Sequence, residues 1–143
     1  MNLNEAIKKI RNFNRFYTST ISVLDQDVLK SGFSLAEARI LFEIKALGPC
    51  SARRIMEELT IDEGYLSRIV KKLVIEGWVE KVQSDTDQRQ FNLALSEEGI
   101  KKMKELEWLS NQANLRLIEH LSEKQRNNLL DSMTNIQKLL EDR

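Results

Sequence analysis

Residues 51–95 decide how this chain folds, and their sequence is SARRIMEELTIDEGYLSRIVKKLVIEGWVEKVQSDTDQRQFNLAL. The first half predicts two short helices, 52–59 and 63–76, because apolar side chains recur there at helical spacing. Ser51 and Asp62 stand directly before these helices. Both residue types are favoured N-caps, since their side-chain oxygens accept from free backbone amides. The segment therefore begins with two helices joined by a tight turn.

The second half of the same segment predicts a small β-hairpin. Gly77 ends the second helix, and the apolar pattern then changes from helical spacing to alternation. One strand is predicted at 78–82 and another at 90–95, with the polar residues 84–89 between them. Two short helices followed at once by a charged hairpin are the parts of a winged helix-turn-helix.

Further helices are predicted on both sides of this unit. Apolar residues at helical spacing predict helices over 5–29 and 34–47 before it, and over 97–121 and 123–141 after it. Two helix starts have the spacing of a capping box, in which a Ser and a residue three positions later satisfy each other's backbone amides. These are Ser34 with Glu37, and Ser122 with Gln125. Ser96 is the predicted N-cap of the helix over 97–121.

The order of these elements predicts a mainly α fold with a small β-hairpin wing. We expect a winged helix-turn-helix at 34–96, flanked by long dimerisation helices at 1–31 and 97–143, within one domain of 143 residues. The apolar stripes of the terminal helices exceed what a monomer with so small a core obviously buries, which favours a homodimer. A closed helical bundle within one chain is the alternative.

Composition limits the functions that this chain can have. The 22 basic and 22 acidic residues cancel, so that binding to nucleic acid has to come from local clustering of charge and from helix N-termini. No apolar run approaches the ~20 residues of a membrane span. The charged N-terminus lacks a signal-peptide core, and the single Cys50 suits a reducing compartment. We therefore expect a cytoplasmic protein without a membrane partner.

The outward face of helix 63–76 is the candidate surface for the major groove of double-stranded DNA, which admits one α-helix. With the apolar stripe turned inward, this face consists of Glu63, Gly64, Ser67, Arg68 and Lys71. Gly64 permits close approach of the backbone, and Ser67 and Arg68 can donate to bases or phosphates. Glu63 opposes phosphate at the same end. Solvated surface charge is the alternative interpretation.

The hairpin tip offers a second contact with DNA. Arg89 has a guanidinium group that suits the strong negative potential of a narrow minor groove. Asp87, two residues earlier, either pairs with Arg89 or braces the tip through backbone amides.

These residues resemble the signature of MarR-type regulators. Asp87-Gln-Arg89 followed by Leu95-Ser-Glu-Glu-Gly99 is similar to that family's wing motif, which is Asp-any-Arg, a short strand, and Leu-Thr/Ser-any-any-Gly. Leu66-Ser-Arg-Ile-Val-Lys-Lys-Leu73 and Glu76-Gly-Trp-Val79 resemble its recognition helix and the turn into the wing. The likeness extends over nearly the whole chain.

The resemblance implies a transcriptional regulator, usually a repressor, that is released by a small-molecule effector. It implies a homodimer with intertwined first and last helices on a palindromic operator. Ser67, Arg68 and Lys71 would then face the major groove, Arg89 the minor groove, and Ser51 a backbone phosphate. Glu63-Gly64 departs from the Ser, Lys or Thr of many relatives.

Three further stretches resemble the regulator half of proteins that fuse a MarR domain to a GNAT acetyltransferase. They are Phe13-Asn-Arg-Phe-Tyr17, Phe33-Ser-Leu-Ala-Glu-Ala-Arg39 and Asp62-Glu-Gly-Tyr-Leu-Ser-Arg68. No acetyl-CoA pyrophosphate loop is found in the sequence. Because of this resemblance, one alternative function is that of a regulatory module of such an enzyme. Another alternative is a helical adaptor that uses the wing for protein contacts.

The remaining chemically distinctive residues do not form a catalytic or metal site by their spacing. His120 has no Cys or carboxylate at ligand spacing, and Cys50 is interpreted as structural rather than as a redox switch. Tyr17, Trp78 and Trp108 are candidates for an effector pocket, with core packing as the alternative. No nucleophile–base pair is found, and we expect a protein that is not an enzyme and has no cofactor.

Overall fold

A computed structural model describes residues 1–141 of the chain. It contains two compact units, of which the first spans Met1–Ser110 and the second begins at Asn111. The described residues form, in order, α1 (Leu3–Leu29), α2 (Leu35–Leu47), α3 (Ala52–Leu59), α4 (Glu63–Ile75), β1 (Val79–Gln83), β2 (Phe91–Leu95), α5 (Glu97–Ile118) and α6 (Glu123–Glu141). The predicted mainly α fold with a β-hairpin wing is confirmed.

The ends of the helices differ from the sequence prediction where capping groups act. α1 begins two residues earlier than predicted, because Asn2 and Glu5 form a reciprocal capping box with N–O distances of 2.9 and 3.2 Å. β1 begins at Val79 rather than at residue 78, because the Trp78 amide donates to the Leu73 carbonyl and so belongs to the turn that ends α4.

Only one of the two predicted capping boxes is complete. Ser122 and Gln125 satisfy each other's backbone amides at the start of α6. At the start of α2 the Ser34 hydroxyl accepts from the Glu37 amide, but the Glu37 carboxylate does not return to Ser34. It accepts instead from the ammonium group of Lys72 in α4 at 3.0 Å. The reciprocal box predicted for Ser34 was therefore wrong, because a cation of another helix binds the carboxylate.

The first unit is built around a core between α2, α3, α4, the hairpin and the first turns of α5. Fully buried aliphatic side chains come from each of these helices. The largest are Ile40, Leu41, Ile44, Ile55, Leu66, Leu73, Met103 and Leu106. Val79 and Leu93 contribute the buried face of the hairpin. Such burial is the main favourable term in folding, and it fixes the helix-turn-helix to the wing.

The two strands pair antiparallel, with Val79 opposite Leu95 and Gln83 opposite Phe91. Cys50 extends this pairing from the connection between α2 and α3. Its amide donates to the Leu93 carbonyl at 3.1 Å, and its carbonyl accepts from the Leu93 amide at 2.7 Å. The hairpin is therefore tied to the chain that enters α3.

A cluster of backbone contacts attaches the start of α5 to the base of the wing. The Ser96 amide donates to the Trp78 carbonyl, and the Ser96 hydroxyl donates to the Gly77 carbonyl. The same hydroxyl accepts from the Gly99 amide at 2.9 Å, which makes Ser96 the predicted cap of α5. A Cβ atom at Gly99 would lie 2.0 Å from the Trp78 carbonyl oxygen, so that only glycine fits. This geometry explains the spacing of Leu95-Ser-Glu-Glu-Gly99.

The terminal helices expose apolar side chains. On α1 the side chains of Ile7, Ile10, Phe13 and Phe16 are all exposed, and the residue that α1 buries is Asp27. α6 buries none of its residues, and Leu130 and Leu139 are more than half exposed. No helix among the described residues is both long and apolar enough to cross a membrane.

Candidate nucleic-acid interface

α4 is held in place by its cap and by its apolar stripe. The Asp62 carboxylate accepts from the Tyr65 amide at 3.0 Å, and this bond starts the helix directly after the turn. Leu66, Val70 and Leu73 are buried below it, as the sequence predicts. The turn from α3 passes through Thr60, whose φ of 52° is left-handed. This tight connection fixes the angle between the two helices.

The predicted outward face of α4 is exposed along its whole length. Gly64, Ser67, Arg68 and Lys71 are all accessible, and they follow one another at helical spacing on the side opposite the core. A Cβ at Gly64 would meet only side-chain atoms, the nearest being the capping carboxylate oxygen of Asp62 at 3.2 Å. The backbone of the first turn is therefore open to close approach by a ligand.

The start of α3 lies beside this face, since Ala52 and Arg53 line the same groove as Ser67 and Lys71. Ser51 is half-buried, and its hydroxyl accepts from the Arg54 amide at 3.2 Å. A Ser hydroxyl that accepts in this way still has a hydrogen to donate, so that it can bond to a phosphate oxygen. Its predicted role near a backbone phosphate stays a prediction.

The tip of the wing is ordered by its own backbone contacts. The Asp87 carboxylate accepts from the Arg89 amide at 2.9 Å, and the Asp87 carbonyl accepts from the Gln90 amide. Of the two roles predicted for Asp87, the structure therefore has the backbone brace. Arg89 is exposed beyond this turn. A braced tip lowers the entropy that Arg89 would lose on binding.

A groove of about 810 Å³ lies between α3, α4 and the wing strands. Its floor is apolar, with Val70, Val74 and Leu93 among the lining residues. The charged lining residues are Arg53, Lys71, Lys81 and Glu63, which is an excess of two positive charges in the lining itself, with Arg53 paired to Glu57 just outside it. A chain with no net charge thus has a basic surface at the predicted interface, as local clustering requires.

Arg53 and Lys81 also line the groove, and neither was predicted from the sequence. Arg53 forms an exposed ion pair with Glu57 at 3.3 Å, and Lys81 is exposed on β1. The signal for Arg53 was its place in the first turn of α3, two residues after the cap. Lys81 approaches Lys71 only through the pairing of the hairpin, which local sequence does not define.

The three aromatic residues proposed for an effector pocket have separate neighbours. Tyr17 stacks on Phe13 with ring centroids 5.6 Å apart, and Trp78 packs edge-to-face on Phe33 at 5.7 Å. Trp108 is 61% exposed. The pocket stays a prediction.

The Cys50 side chain is buried. Burial raises the pKa of the Cys50 thiol, and the positive charge of Arg54 offsets this rise only in part. A raised pKa favours the protonated thiol over the reactive thiolate, in agreement with a structural role. Within residues 1–141, no group of His, Cys, Asp and Glu side chains could hold a metal ion.

Comparison with known proteins gives consistent results. The sequence profile of the MarR family matches residues 31–90, which contain α2, the helix-turn-helix and most of the wing. HTH-type transcriptional regulator BilQ of Clostridium symbiosum (strain WAL-14163) is 28% identical over 113 residues, which are 79% of this chain and 76% of BilQ. YwoH of Bacillus subtilis (strain 168), an uncharacterized HTH-type transcriptional regulator, is 27% identical over 75 residues, which are 52% of this chain and 54% of YwoH.

Solved structures share the fold at lower identity. FabT of Streptococcus pneumoniae in complex with DNA aligns with a TM-score of 0.79 and 21% identity, over 93% of this chain and 98% of FabT. A mutant MarR from E. coli complexed with operator DNA aligns with a TM-score of 0.74 and 21% identity, over 95% and 99% of the two chains. At such identities the likeness establishes the fold.

Proposed function

We propose that this chain, a member of the MarR family of winged-helix proteins, is a sequence-specific DNA-binding transcriptional regulator. The observation that supports this most is the juxtaposition of an exposed polar helix face with a basic groove and a braced wing. Ser67, Arg68 and Lys71 lie on that face, and Arg89 extends from the wing. The surface supplies donors for both grooves of one duplex.

In this proposal α4 enters the major groove and the wing tip follows the adjacent minor groove. Ser67 and Arg68 donate to base edges or phosphates, and Lys71 neutralises backbone charge. Gly64 allows the first turn to approach closely, and the Ser51 hydroxyl donates to a phosphate. Asp62 and Glu63 oppose phosphate at the N-terminus of α4, so that the centre of α4 provides most of the attraction.

The functional unit in this proposal is a homodimer. The apolar stripe of α1 and the surface of α6 are exposed, and both would be buried against a second copy of the chain. In the alternative, a closed helical bundle within one chain, no second copy is required. Two winged domains then bind a palindrome whose half-site centres are about one helical turn apart. Linking two sparse surfaces strengthens binding without new contacts. Repression in the cytoplasm, with release by a small-molecule effector, completes the proposal.

Selection of bound fragments from genomic DNA, followed by gel shift, tests this function. We expect enrichment of palindromic fragments and salt-sensitive binding. Arg89→Ala should weaken binding and lower the slope of log affinity against log salt by about one unit. No preference over random DNA would refute the proposal. A wild-type slope in the Arg89→Ala variant would refute its minor-groove role and favour the adaptor alternative.

The narrower kinship with regulator halves of MarR/GNAT fusions is a separate proposal. It is supported by the stretch Asp62–Arg68 and by Phe13–Tyr17. Sequencing the reading frame downstream of Arg143 tests it. A GNAT-like continuation would support it, and a stop codon would refute the fragment version.

A further inference from the structure

The Glu37 carboxylate in the first turn of α2 is nearly buried and is bound by a side chain of the recognition helix. Its side chain is 10% exposed, and Lys72 Nζ lies 3.0 Å from Glu37 Oε1. A buried carboxylate is costly unless it is paired, so that Glu37 favours the conformation in which Lys72 compensates its charge. The hydrogen bond and the charge of Glu37 also raise the pKa of the Lys72 ammonium group.

Contacts continue from this ion pair to the base of the wing. Lys72 lies 3.9 Å from the Glu76 carboxylate, which in turn accepts from the Trp78 indole N–H at 3.3 Å. Trp78 packs edge-to-face on Phe33, just before α2. The ammonium group of Lys102 lies within 6 Å of both rings. The start of α2, the end of α4 and the start of β1 are thereby joined.

Lys72 acts on the side of α4 where it can set the rotation of the helix. At about 100° per residue, Lys72 lies roughly a quarter-turn from the outward face that contains Ser67 and Lys71. The buried apolar stripe prevents a large movement of α4. Small rotations of α4 about its own axis are still possible, because apolar side chains can slide along one another. An ion pair on the flank restricts such rotation and the angle between α4 and the wing.

We propose that Glu37 is a positioning residue for DNA recognition, and that it acts through Lys72 to hold α4 and the wing in one binding-competent orientation. The inference rests on the proposed DNA-binding function. Hydrogen bonds to base edges require the side chains of α4 to be placed to within about 0.5 Å, whereas contacts with phosphates tolerate a larger displacement of the helix. Loss of the pair should therefore reduce specific binding more than non-specific binding.

Simple electrostatics predicts that Glu37→Gln leaves the preference for the specific duplex unchanged. Removing a negative charge should tighten binding to every DNA, specific or not. Positioning predicts that the preference falls, while affinity for unrelated DNA stays constant or rises. A general loss of stability would weaken both affinities equally, because it lowers only the fraction of folded protein.

The test measures affinities for a duplex selected by the wild-type protein and for a shuffled duplex of equal composition. Glu37→Gln and Lys72→Met break the pair. The matched controls, Glu107→Gln and Lys45→Met, break the ion pair between α2 and α5 with the same changes of charge. We expect the ratio of specific to non-specific affinity to fall about tenfold in the first two variants and less than twofold in the controls.

Equal ratios in Glu37→Gln and Glu107→Gln would overturn the inference. So would a Lys72→Met variant that loses affinity for both duplexes together with one unit of salt slope, since Lys72 would then be a phosphate contact. If Lys72→Met does not fold because it leaves the Glu37 carboxylate unpaired, Glu37→Gln decides alone, since it removes the buried charge with little change of shape and leaves only an exposed Lys72 without its partner. A wild-type protein without any preference would refute the proposed function itself.

Discussion

Gly99→Ala is the substitution whose effect follows most directly from the geometry. The new methyl group would lie 2.0 Å from the Trp78 carbonyl oxygen and 3.0 Å from its carbon. Both are backbone atoms, so that no side-chain rotation relieves the overlap. Either the first turn of α5 or the base of the wing has to move by about 1 Å or more.

Such a movement breaks contacts that converge on Ser96. Overpacking costs about 1–3 kcal/mol, and each hydrogen bond lost from the Ser96 cluster adds about 1 kcal/mol. The lower backbone entropy of alanine in the unfolded chain returns about 0.4–1 kcal/mol. We expect a net loss of roughly 2–4 kcal/mol, which corresponds to a melting temperature lower by about 10 °C for a chain of this size.

Thermal unfolding followed by circular dichroism at 222 nm measures this effect. Gly64→Ala is the control, because it adds the same methyl group to a helix where the nearest atom is a side-chain oxygen, the Asp62 Oδ2 that caps α4, at 3.2 Å rather than a backbone atom at 2.0 Å. Its melting temperature should stay within about 3 °C of the wild type, since the better helix propensity of alanine offsets a small displacement of the cap. A Gly99→Ala protein as stable as wild type would refute the close approach of α5 to the wing.

Two other substitutions and one chemical treatment test the DNA-binding face of α4 and the buried core independently. Gly64→Ala should weaken binding to the selected duplex by about 1 kcal/mol without loss of stability, in anisotropy titrations; unchanged affinity would exclude close approach at the first turn. Leu73→Ala should lower the free energy of unfolding in urea by about 2–5 kcal/mol, because this side chain is 0% exposed beneath α4; a loss under 1 kcal/mol would contradict its place in the core. Cys50 should react with iodoacetamide at pH 7.5 far more slowly than free cysteine. Its raised pKa favours the thiol, so its thiolate should form only above the pH range of an ordinary cysteine; rapid labelling of the native protein would contradict this.

Local signals predicted most of the helix starts. Ser51, Asp62 and Ser96 precede apolar helical patterns, and each accepts from the backbone amide three residues later. Capping is a contact within one turn, so that sequence alone contains the information. The outward face of α4 was predicted for the same reason, because helical period determines which residues are opposite the core.

Contacts between distant residues were not predicted. Glu37 had the correct spacing for a capping box, but its carboxylate binds Lys72, 35 residues later. The pairing of Cys50 with Leu93 and the approach of Lys81 to the groove likewise depend on how the hairpin packs. The basic groove could therefore not be derived from a sequence with balanced charge.

Sequence preference in DNA binding tests the central claim most directly. The measurement is the affinity of wild-type protein for the palindrome that it selects, relative to a shuffled duplex, at several salt concentrations. We expect a ratio of about 10³ or more, with affinity for both duplexes falling steeply as salt rises. A ratio near one at every salt concentration would contradict it.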